Sequence, residues 1–299
     1  MRSAEPSTAS EELLLELLRG RTGMRLSEAA RREALRVGRA RAAALQSGFD
    51  AWVVSLGATS SSAELELVVR ALTVGETYFF RGPVFGALRS HVLPELVERK
   101  RRQGTNVVRL ASAGCATGEE AYSLALCLRT AIDDASRWNL GVLGFDLNAA
   151  FLERAACADY GAWSFRGTDP GVWEPWLRRV GDQWTVHPDI RKMVRFEYVN
   201  LASDPMPAPA LGLVGLDLVL CQNVLIYFDR EVRERTVRSL AQVLAPGGQL
   251  YFGPADLVSV DLPGVELVQH GDVVGYRRRE HLEPAPRRRS SSAVLRAIT

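Results

Sequence analysis

Residues 106–120 read Asn106-Val-Val-Arg-Leu-Ala-Ser-Ala-Gly-Cys-Ala-Thr-Gly-Glu-Glu120. The run over 106–112 is typical of a short β-strand that stops at Gly114, and the residues from Glu119 onward show the apolar spacing of a helix. The same strand-then-helix order recurs downstream, which indicates an α/β fold with a mostly parallel sheet and helices on both faces. Functional residues in such sheets lie just after the strands, at their carboxyl ends.

The other predicted elements repeat this alternation. Strands are predicted over 140–146, 193–199, 216–221 and 249–252, followed by a hairpin over 265–268 and 273–277. Helices are predicted over 119–130, 149–158 and 230–244.

The N-terminal part has a different pattern, with apolar residues at helical spacing over 11–19, 26–46 and 63–72. The predicted organisation is therefore a small all-helical domain (1–75), an α/β domain (76–280) that contains a small insertion (160–191), and an Arg/Ser-rich tail with the composition of a disordered segment (281–299).

Composition and charge exclude several classes of protein. The 299 residues are 47 % apolar and 24 % charged, and the formal net charge of +2 gives no general attraction to nucleic acid or to an anionic membrane. No apolar run approaches the roughly 20 residues that span a bilayer, and the N-terminus lacks the layout of a signal peptide. The four cysteines are widely spaced without a CxxC pair, which predicts reduced thiols, no metal site and a cytoplasmic location.

The loop after the first strand carries two glycines and two acids. Gly114 and Gly118 permit a tight turn and a close approach of the backbone to a ligand. Glu119 is a candidate for binding an ammonium group, whereas Thr117 with Glu120 fits a capping box for the helix. Because two carboxylates would repel phosphates, the loop favours a cationic ligand over a dinucleotide.

Two further strand ends complete the candidate site. Asp146 ends the second strand, where an acid accepts hydrogen bonds from ribose hydroxyls; a cap for the next helix is the alternative. Gln222 and Asn223 follow the strand over 216–221. The candidate site thus offers one acid to ribose hydroxyls and another to an ammonium group, and it lacks a loop that binds phosphate. This combination indicates S-adenosylmethionine as the cofactor.

Five segments resemble a known family in their order and spacing. They are Arg21-Thr-Gly-Met-Arg-Leu26, Glu76-Thr-Tyr-Phe-Phe-Arg81, Ser112-Ala-Gly-Cys-Ala-Thr-Gly-Glu-Glu-Ala-Tyr-Ser-Leu-Ala125, Phe196-Glu-Tyr-Val-Asn-Leu201 and Cys221-Gln-Asn-Val-Leu-Ile-Tyr-Phe228. The family is that of the CheR-type chemotaxis receptor methyltransferases. The resemblance implies a Rossmann-like class I methyltransferase sheet with a helical N-terminal domain and a small β insertion. It also implies methyl transfer from S-adenosylmethionine to glutamate side-chain carboxylates on methyl-accepting chemotaxis receptors or receptor-like sensors, the reaction of adaptation.

The resemblance further implies the cofactor-binding positions. These are Gly75, Thr77, Arg81, Glu119, Asp146, Asn200, Leu201, Gln222 and Asn223. The chain departs from the family pattern where Gly75 replaces a frequent Asn, Ala121 a frequent Pro, Gln222 a frequent Arg, and Gly253-Pro-Ala-Asp256 the usual Gly-His-Ser-Glu.

Catalysis in this interpretation depends on orientation. A glutamate carboxylate (pKa about 4.3) is already ionised at neutral pH, so the transfer needs no general base. Orientation and desolvation then lower the barrier. We place Arg81 beside the incoming carboxylate or the carboxylate of the cofactor, with an ion pair between the two domains as the alternative. Tyr227 is a candidate for packing near the transferred methyl group, or is a core aromatic.

Other functions stay open or are disfavoured. A cofactor-binding sensor or scaffold without turnover is the main alternative, because Gly75 and Gln222 depart from the family pattern. A nucleic-acid amine methyltransferase is disfavoured, since no proline follows Asn223 and the folded part lacks a basic excess. The acids of the first loop disfavour a nicotinamide-dependent dehydrogenase.

The expected partners are the cytoplasmic helices of receptors, and we expect a monomer without nucleic acid or stable membrane insertion. The insertion over 160–191 is, by the resemblance, a small antiparallel subdomain that touches the receptor; a packed flap on the sheet is the alternative. The second predicted helix forms either a solvated face or a docking face for an acidic protein, because it is crowded with arginines: Arg31, Arg32, Arg36, Arg39 and Arg41.

Overall fold

The N-terminal part of the chain is helical, as predicted. The computed structural model describes residues 7–58, 63–174, 176–256 and 260–280. The helices before the sheet are α1 (Thr8–Thr22), α2 (Glu28–Ala44), α3 (Phe49–Ala58) and α4 (Ala63–Leu72). The hydroxyls of Ser7 and Ser27 accept hydrogen bonds from backbone N–H groups and so cap α1 and α2. The sequence prediction lacks α3, because its nearly unbroken apolar residues show no clear helical period.

The strands follow in the second part of the chain. In chain order they are β1 (Val107–Ala113), β2 (Asn139–Asp146), β3 (Asp159–Gly161), β4 (Leu177–Val180), β5 (Gln183–Val186), β6 (Val194–Tyr198), β7 (Leu216–Cys221), β8 (Leu244–Phe252), β9 (Val265–His270) and β10 (Val273–Arg278). Among the described residues a seven-stranded sheet has the order β6-β2-β1-β7-β8-β10-β9. The first five run parallel, and β10 runs antiparallel to both β8 and β9. The predicted mostly parallel sheet is confirmed.

Helices cover both faces of this sheet. They are α5 (Val84–Ala87), which continues through a π-helical turn (Leu88–Val92) into α6 (Leu93–Arg102), then α7 (Glu119–Thr130), α8 (Ala149–Cys157), α9 (Pro188–Arg191) and α10 (Arg230–Gln242). On β1, Leu110 packs in one hydrophobic cluster and Ala111 in the other, as the alternation of a strand requires. The cluster around Ala111 also holds Leu14 and Trp52, so the helical part and the sheet share a core. The division at residues 75 and 76 stays a prediction.

The insertion forms a small antiparallel sheet of order β3-β5-β4 and packs on the α/β domain. Phe79 stacks on Phe165 with 4.5 Å between ring centroids, and Phe80 stacks on Trp173 at 4.0 Å. Trp163 is by contrast 70 % exposed. The segment is thus a packed flap that leaves a large aromatic side chain in solvent.

The predicted disordered tail, 281–299, lies outside the described residues. Within the described ranges, no helix combines the length and the apolar character needed to cross a bilayer.

Candidate active site

A cavity of about 260 Å³ opens at the carboxyl ends of β1, β2 and β7, the edge where the sequence places the site. Its polar lining includes three carboxylates, three amides and, as the sole cationic side chain among the described lining residues, an arginine: Glu76, Glu120, Asp146, Asn200, Gln222, Asn223 and Arg81. Its apolar lining includes Met24, Leu147, Phe151, Leu201, Ile226 and Tyr227. A cavity lined by one cation and three acids favours a ligand with hydroxyl and cationic groups over a phosphate.

The loop after β1 is held in a conformation that requires glycine. Gly114 has φ +70° and Gly118 has φ +95°. A Cβ at Gly114 would stand 2.4 Å from Cγ2 of Val224, and one at Gly118 would stand 2.8 Å from Cβ of Ala155. The backbone can therefore approach its neighbours only without side chains at these positions. Of the two glycines, Gly114 lines the cavity and Gly118 does not.

Asp146 binds this loop to the next helix. Its Oδ2 accepts a hydrogen bond from the backbone N–H of Ala116 at 2.9 Å, and its Oδ1 accepts one from that of Asn148 at 2.8 Å. Burial raises the pKa of the Asp146 carboxyl, and the backbone hydrogen bonds oppose that rise. The cap of α8 is Asn148, whose side chain accepts from Ala150 and Phe151. The helix-cap alternative for Asp146 is therefore wrong.

The two acids of the loop point to different places. Glu119 accepts hydrogen bonds from the hydroxyls of Thr117 at 2.7 Å and Ser164 at 2.9 Å, and it does not line the cavity. Helix α7 begins at Glu119 with Gly118 as its N-cap and without a side-chain cap. The capping box of Thr117 with Glu120 is therefore wrong, because the helix starts one residue later than that motif needs.

Glu120 is the acid that lines the cavity. Its carboxylate accepts hydrogen bonds from Oγ of Ser112 and from Nε2 of Gln222, both at 2.7 Å. Burial raises the pKa of Glu120 to about 7, although these hydrogen bonds and the charge of Arg81 lower it. Gln222, where the family often has Arg, is thus an amide donor to this buried acid.

The loop after β7 is organised by Asp256, a residue for which the sequence predicts no role. Asn223 has φ +60°, and its backbone N–H donates to Asp256. The same carboxylate accepts from the N–H groups of Ile226 and Gly253, each at 3.2 Å. An acid shortly after the fifth parallel strand is the signal that could have identified Asp256. It holds Asn223 and the residues before Tyr227 at the cavity.

The N-terminal helical part of the chain supplies one wall of the cavity through Thr22 and Met24. Nδ2 of Asn200 donates to the carbonyl oxygen of Arg21, and the backbone N–H of Arg25 donates to that of Tyr227 at 2.7 Å. Met24 and Phe228 form an antiparallel bridge between these segments. The backbone around Tyr227 is therefore fixed by Met24 and Arg25, which lie between α1 and α2.

Arg81 lies at the cavity rim. Its Nη1 donates to the carbonyl oxygen of Glu76 at 2.9 Å, and its guanidinium lies 5.4 Å from the ring centroid of Tyr78. Within the part of the chain that the structure describes, no carboxylate forms an ion pair with Arg81, so the predicted alternative of an interdomain ion pair is not found. Tyr227 is half-buried, and burial raises its pKa.

Gly75 is the other predicted residue that does not line the cavity. A Cβ there would stand 2.7 Å from Cζ of Phe151, and the Phe151 ring itself lines the cavity. The aromatic ring thus occupies the space that a side chain at position 75 would take. The remaining predicted residues, Thr77, Arg81, Asp146, Asn200, Leu201, Gln222, Asn223 and Tyr227, are brought together around the cavity.

S-adenosylmethionine fits this donor set. The Asp146 carboxylate is suited to ribose hydroxyls, and Glu120 offers a buried negative charge to an ammonium or sulfonium group. Gly114, which has no side chain, lines the same cavity as both acids. Leu147 and Phe151 supply apolar surface for a base.

Comparison with known proteins also indicates a methyltransferase that binds S-adenosylmethionine. Residues 75–271 match the family described as CheR methyltransferase, SAM binding domain. The chain is 32 % identical over 212 residues to the probable biofilm formation methyltransferase WspC of Pseudomonas aeruginosa, covering 70 % of this chain and 48 % of that protein. It is 33 % identical over 225 residues to chemotaxis protein methyltransferase 1 of the same species, covering 72 % and 77 %. It is 32 % identical over 201 residues to chemotaxis protein methyltransferase 2 of Vibrio cholerae, covering 67 % and 68 %. The chain thus spans about half the length of WspC and more than two thirds of each of the two chemotaxis relatives.

Proposed function

Because the chain belongs to the CheR methyltransferase family and carries its S-adenosylmethionine-binding domain, we propose that it methylates glutamate side-chain carboxylates on methyl-accepting chemotaxis receptors or receptor-like sensors. The observation that carries the proposal is the cavity in which Glu120 and Asp146 meet the loop of Gly114 beside an arginine without a carboxylate partner among the described residues. Relatives whose names describe chemotaxis methyltransferases support the choice of substrate.

Different residues around the cavity would bind different groups of the cofactor. The cofactor, when bound, supplies a methyl group on a sulfonium for displacement. Asp146 would hold the ribose hydroxyls, and Glu120 would bind the ammonium group, the role that the sequence analysis gives to Glu119. The other lining residues that we propose to contact the cofactor are Thr77, Asn200, Leu201, Gln222 and Asn223.

The chain's own residues act on the acceptor mainly by orientation. A glutamate carboxylate is ionised at neutral pH (pKa about 4.3), so no residue has to remove a proton from it. Arg81, at the rim and unpaired with an acid among the described residues, would orient the incoming carboxylate or the carboxylate of the cofactor. Tyr227, fixed through its carbonyl oxygen by Arg25, would form the wall that excludes water from the transferred methyl group.

We further propose that the protein acts as a monomer in the cytoplasm on the cytoplasmic helices of its receptors. The domain division at residues 75 and 76, and the insertion over 160–191, are part of this proposal. The bound receptor would reach the cavity from the side of Arg81, which lines it together with Glu76 and Thr77.

The test uses the purified chain, S-adenosylmethionine labelled in the methyl group, and membranes that hold methyl-accepting receptors from the same cell. We expect protein-bound label that mild alkali releases as methanol, the behaviour of a carboxyl methyl ester. Asp146→Asn should lose the label, because an amide cannot accept the same set of hydrogen bonds. Asp272→Asn is the matched control, since Asp272 is exposed in the turn between β9 and β10.

The cofactor's binding is measured in parallel by calorimetry. Binding without incorporation of label would contradict the proposed activity and would favour a sensor or scaffold. Label that resists alkali would contradict the proposed acceptor, since the products of amine and thiol methylation survive that treatment.

A further inference from the structure

An exposed tryptophan lies on the flap in the short helical turn Ala162–Phe165. Trp163 is 70 % exposed, more than any other aromatic side chain in the described ranges. The other tryptophans of the insertion pack on rings or on a guanidinium: Trp173 on Phe80, Trp184 on Phe165 and Trp176 under Arg129. Packing within the flap therefore does not account for a tryptophan at position 163.

Trp163 is held firmly although it is exposed. The Arg166 guanidinium lies 4.6 Å from the Trp163 ring centroid and 4.3 Å from that of Tyr78. Its Nη1 donates to the carbonyl oxygen of Trp163 at 2.9 Å and to that of Thr77 at 3.2 Å. The backbone N–H of Phe79 donates to the carbonyl oxygen of Ser164 at 2.8 Å. A ring fixed in this way loses little conformational entropy when a partner covers it.

The contacts that hold Trp163 also connect it to the rim of the cavity. Thr77, which accepts from Arg166, lines the cavity, and so do Glu76 and Arg81. The guanidinium of Arg81 lies 5.4 Å from the same Tyr78 ring that Arg166 covers. An aromatic surface therefore runs from the exposed Trp163 through the part-buried Tyr78 to the rim.

The charges along this surface favour an acidic partner. Arg166 pairs with Glu76 at 3.2 Å, whereas Arg81 has no carboxylate partner among the described residues. The rim surface is thus left with a positive charge next to an apolar ring, a combination that binds a polypeptide bearing both carboxylates and apolar side chains.

We propose that Trp163, mounted on Arg166 and Tyr78, is the docking residue for the acidic polypeptide segment that carries the acceptor glutamate. The proposal rests on the proposed function, since it takes the acceptor to be a protein carboxylate. The ring packs on apolar side chains of that segment, and Arg81 attracts the acceptor carboxylate toward the cavity. Trp163 is here a positioning residue, because it contacts the substrate away from the reacting atoms.

The experiment compares Trp163→Ala with the wild type in steady-state methylation of receptor-containing membranes. Exposed tryptophans at the centre of an interface are binding hot spots, so we expect the KM for the receptor to rise about tenfold or more. The kcat and the affinity for S-adenosylmethionine should change less than twofold, because the ring contacts neither the cofactor nor the reacting atoms. Trp163→Phe keeps an aromatic ring and should restore part of the affinity for the receptor.

Leu267→Ala is the matched control. Leu267 is 68 % exposed on the edge strand β9, away from the described cavity lining, so its truncation should leave all the constants unchanged. If the wild type methylates the receptor and Trp163→Ala has the same KM, the docking surface is overturned while the proposed function stands. If the wild type does not methylate the receptor, both proposals fail. An equal rise of KM in Leu267→Ala would also overturn the assignment, since the effect would then not be local.

Discussion

Gly75 and Phe151 lie so close together that a side chain at position 75 must displace the aromatic ring. In Gly75→Ala the new Cβ would stand 2.7, 2.9 and 3.1 Å from three ring atoms of Phe151. Contacts under 3.0 Å require a shift, and the ring lines the cavity. We therefore expect the substitution to disturb both packing and cofactor binding.

The magnitude follows from the cost of overpacking. Inserting a methyl group into a filled space typically destabilises a protein by about 1–3 kcal/mol. The measurement is the free energy of unfolding in urea, with cofactor affinity determined by calorimetry on the same samples. Gly20→Ala is the matched control, because a Cβ at Gly20 in α1 meets nothing within 4 Å. That change should be neutral or should stabilise by about 0.5–1 kcal/mol, as expected for alanine in a helix.

A double mutant identifies the cause. If the clash with the ring is responsible, the cost of Gly75→Ala should largely disappear in a Phe151→Ala background, giving a coupling energy of about 1 kcal/mol or more. An equal cost in both backgrounds would refute the reasoning, because the penalty would then come from the backbone of residue 75. Unchanged stability and cofactor affinity in Gly75→Ala alone would refute it as well.

Two further predictions concern the carboxylates. Burial raises the pKa of Glu120 from 4.5 to about 7, so its contribution to stability is fully present below about pH 4.5 and is lost as the pH rises through about 7. The free energy of unfolding of the wild type, measured relative to Glu120→Gln, should fall by up to about 3 kcal/mol over this range; a pH-independent difference would contradict it. Asp256→Ala leaves the backbone N–H groups of Asn223, Ile226 and Gly253 without their acceptor, and urea unfolding should show a loss of about 2–4 kcal/mol. A loss under about 0.5 kcal/mol would show that water replaces the carboxylate.

The sequence predicts best those elements whose pattern is local. The strand Leu216–Cys221 and the helix Glu119–Thr130 have the predicted bounds, because an unbroken apolar run and a strong helical period are each bounded by polar or glycine residues. The predicted strand over 249–252 is too short, since β8 begins at Leu244. Its register against β7 shifts between Leu216 and Leu218, so the strand passes through Pro246-Gly247-Gly248 as a bulge rather than ending there.

The site, too, could be predicted from the sequence only where its features follow from a local pattern. The edge of the sheet and Asp146 could be predicted, because parallel strands bring their carboxyl ends together. Which of Glu119 and Glu120 lines the cavity could not, since one residue along a helix turns the side chain by about 100°. The roles of Phe151 and Asp256 depend on contacts between segments far apart in the sequence, and a local pattern does not contain them.

The wall built by residues 22–24 has a thermodynamic consequence for the whole chain. The match to the cofactor-binding domain begins at residue 75, yet Thr22 and Met24 line the cavity. A ligand held there binds only the arrangement in which the N-terminal helical part is in place, so each increment of ligand occupancy also stabilises that arrangement. At a hundred times the Kd this linkage is worth about 2.7 kcal/mol, enough to suppress local opening of α1 by about a hundredfold. Occupancy by the small molecule would thus set how firmly the two parts of the protein are held together.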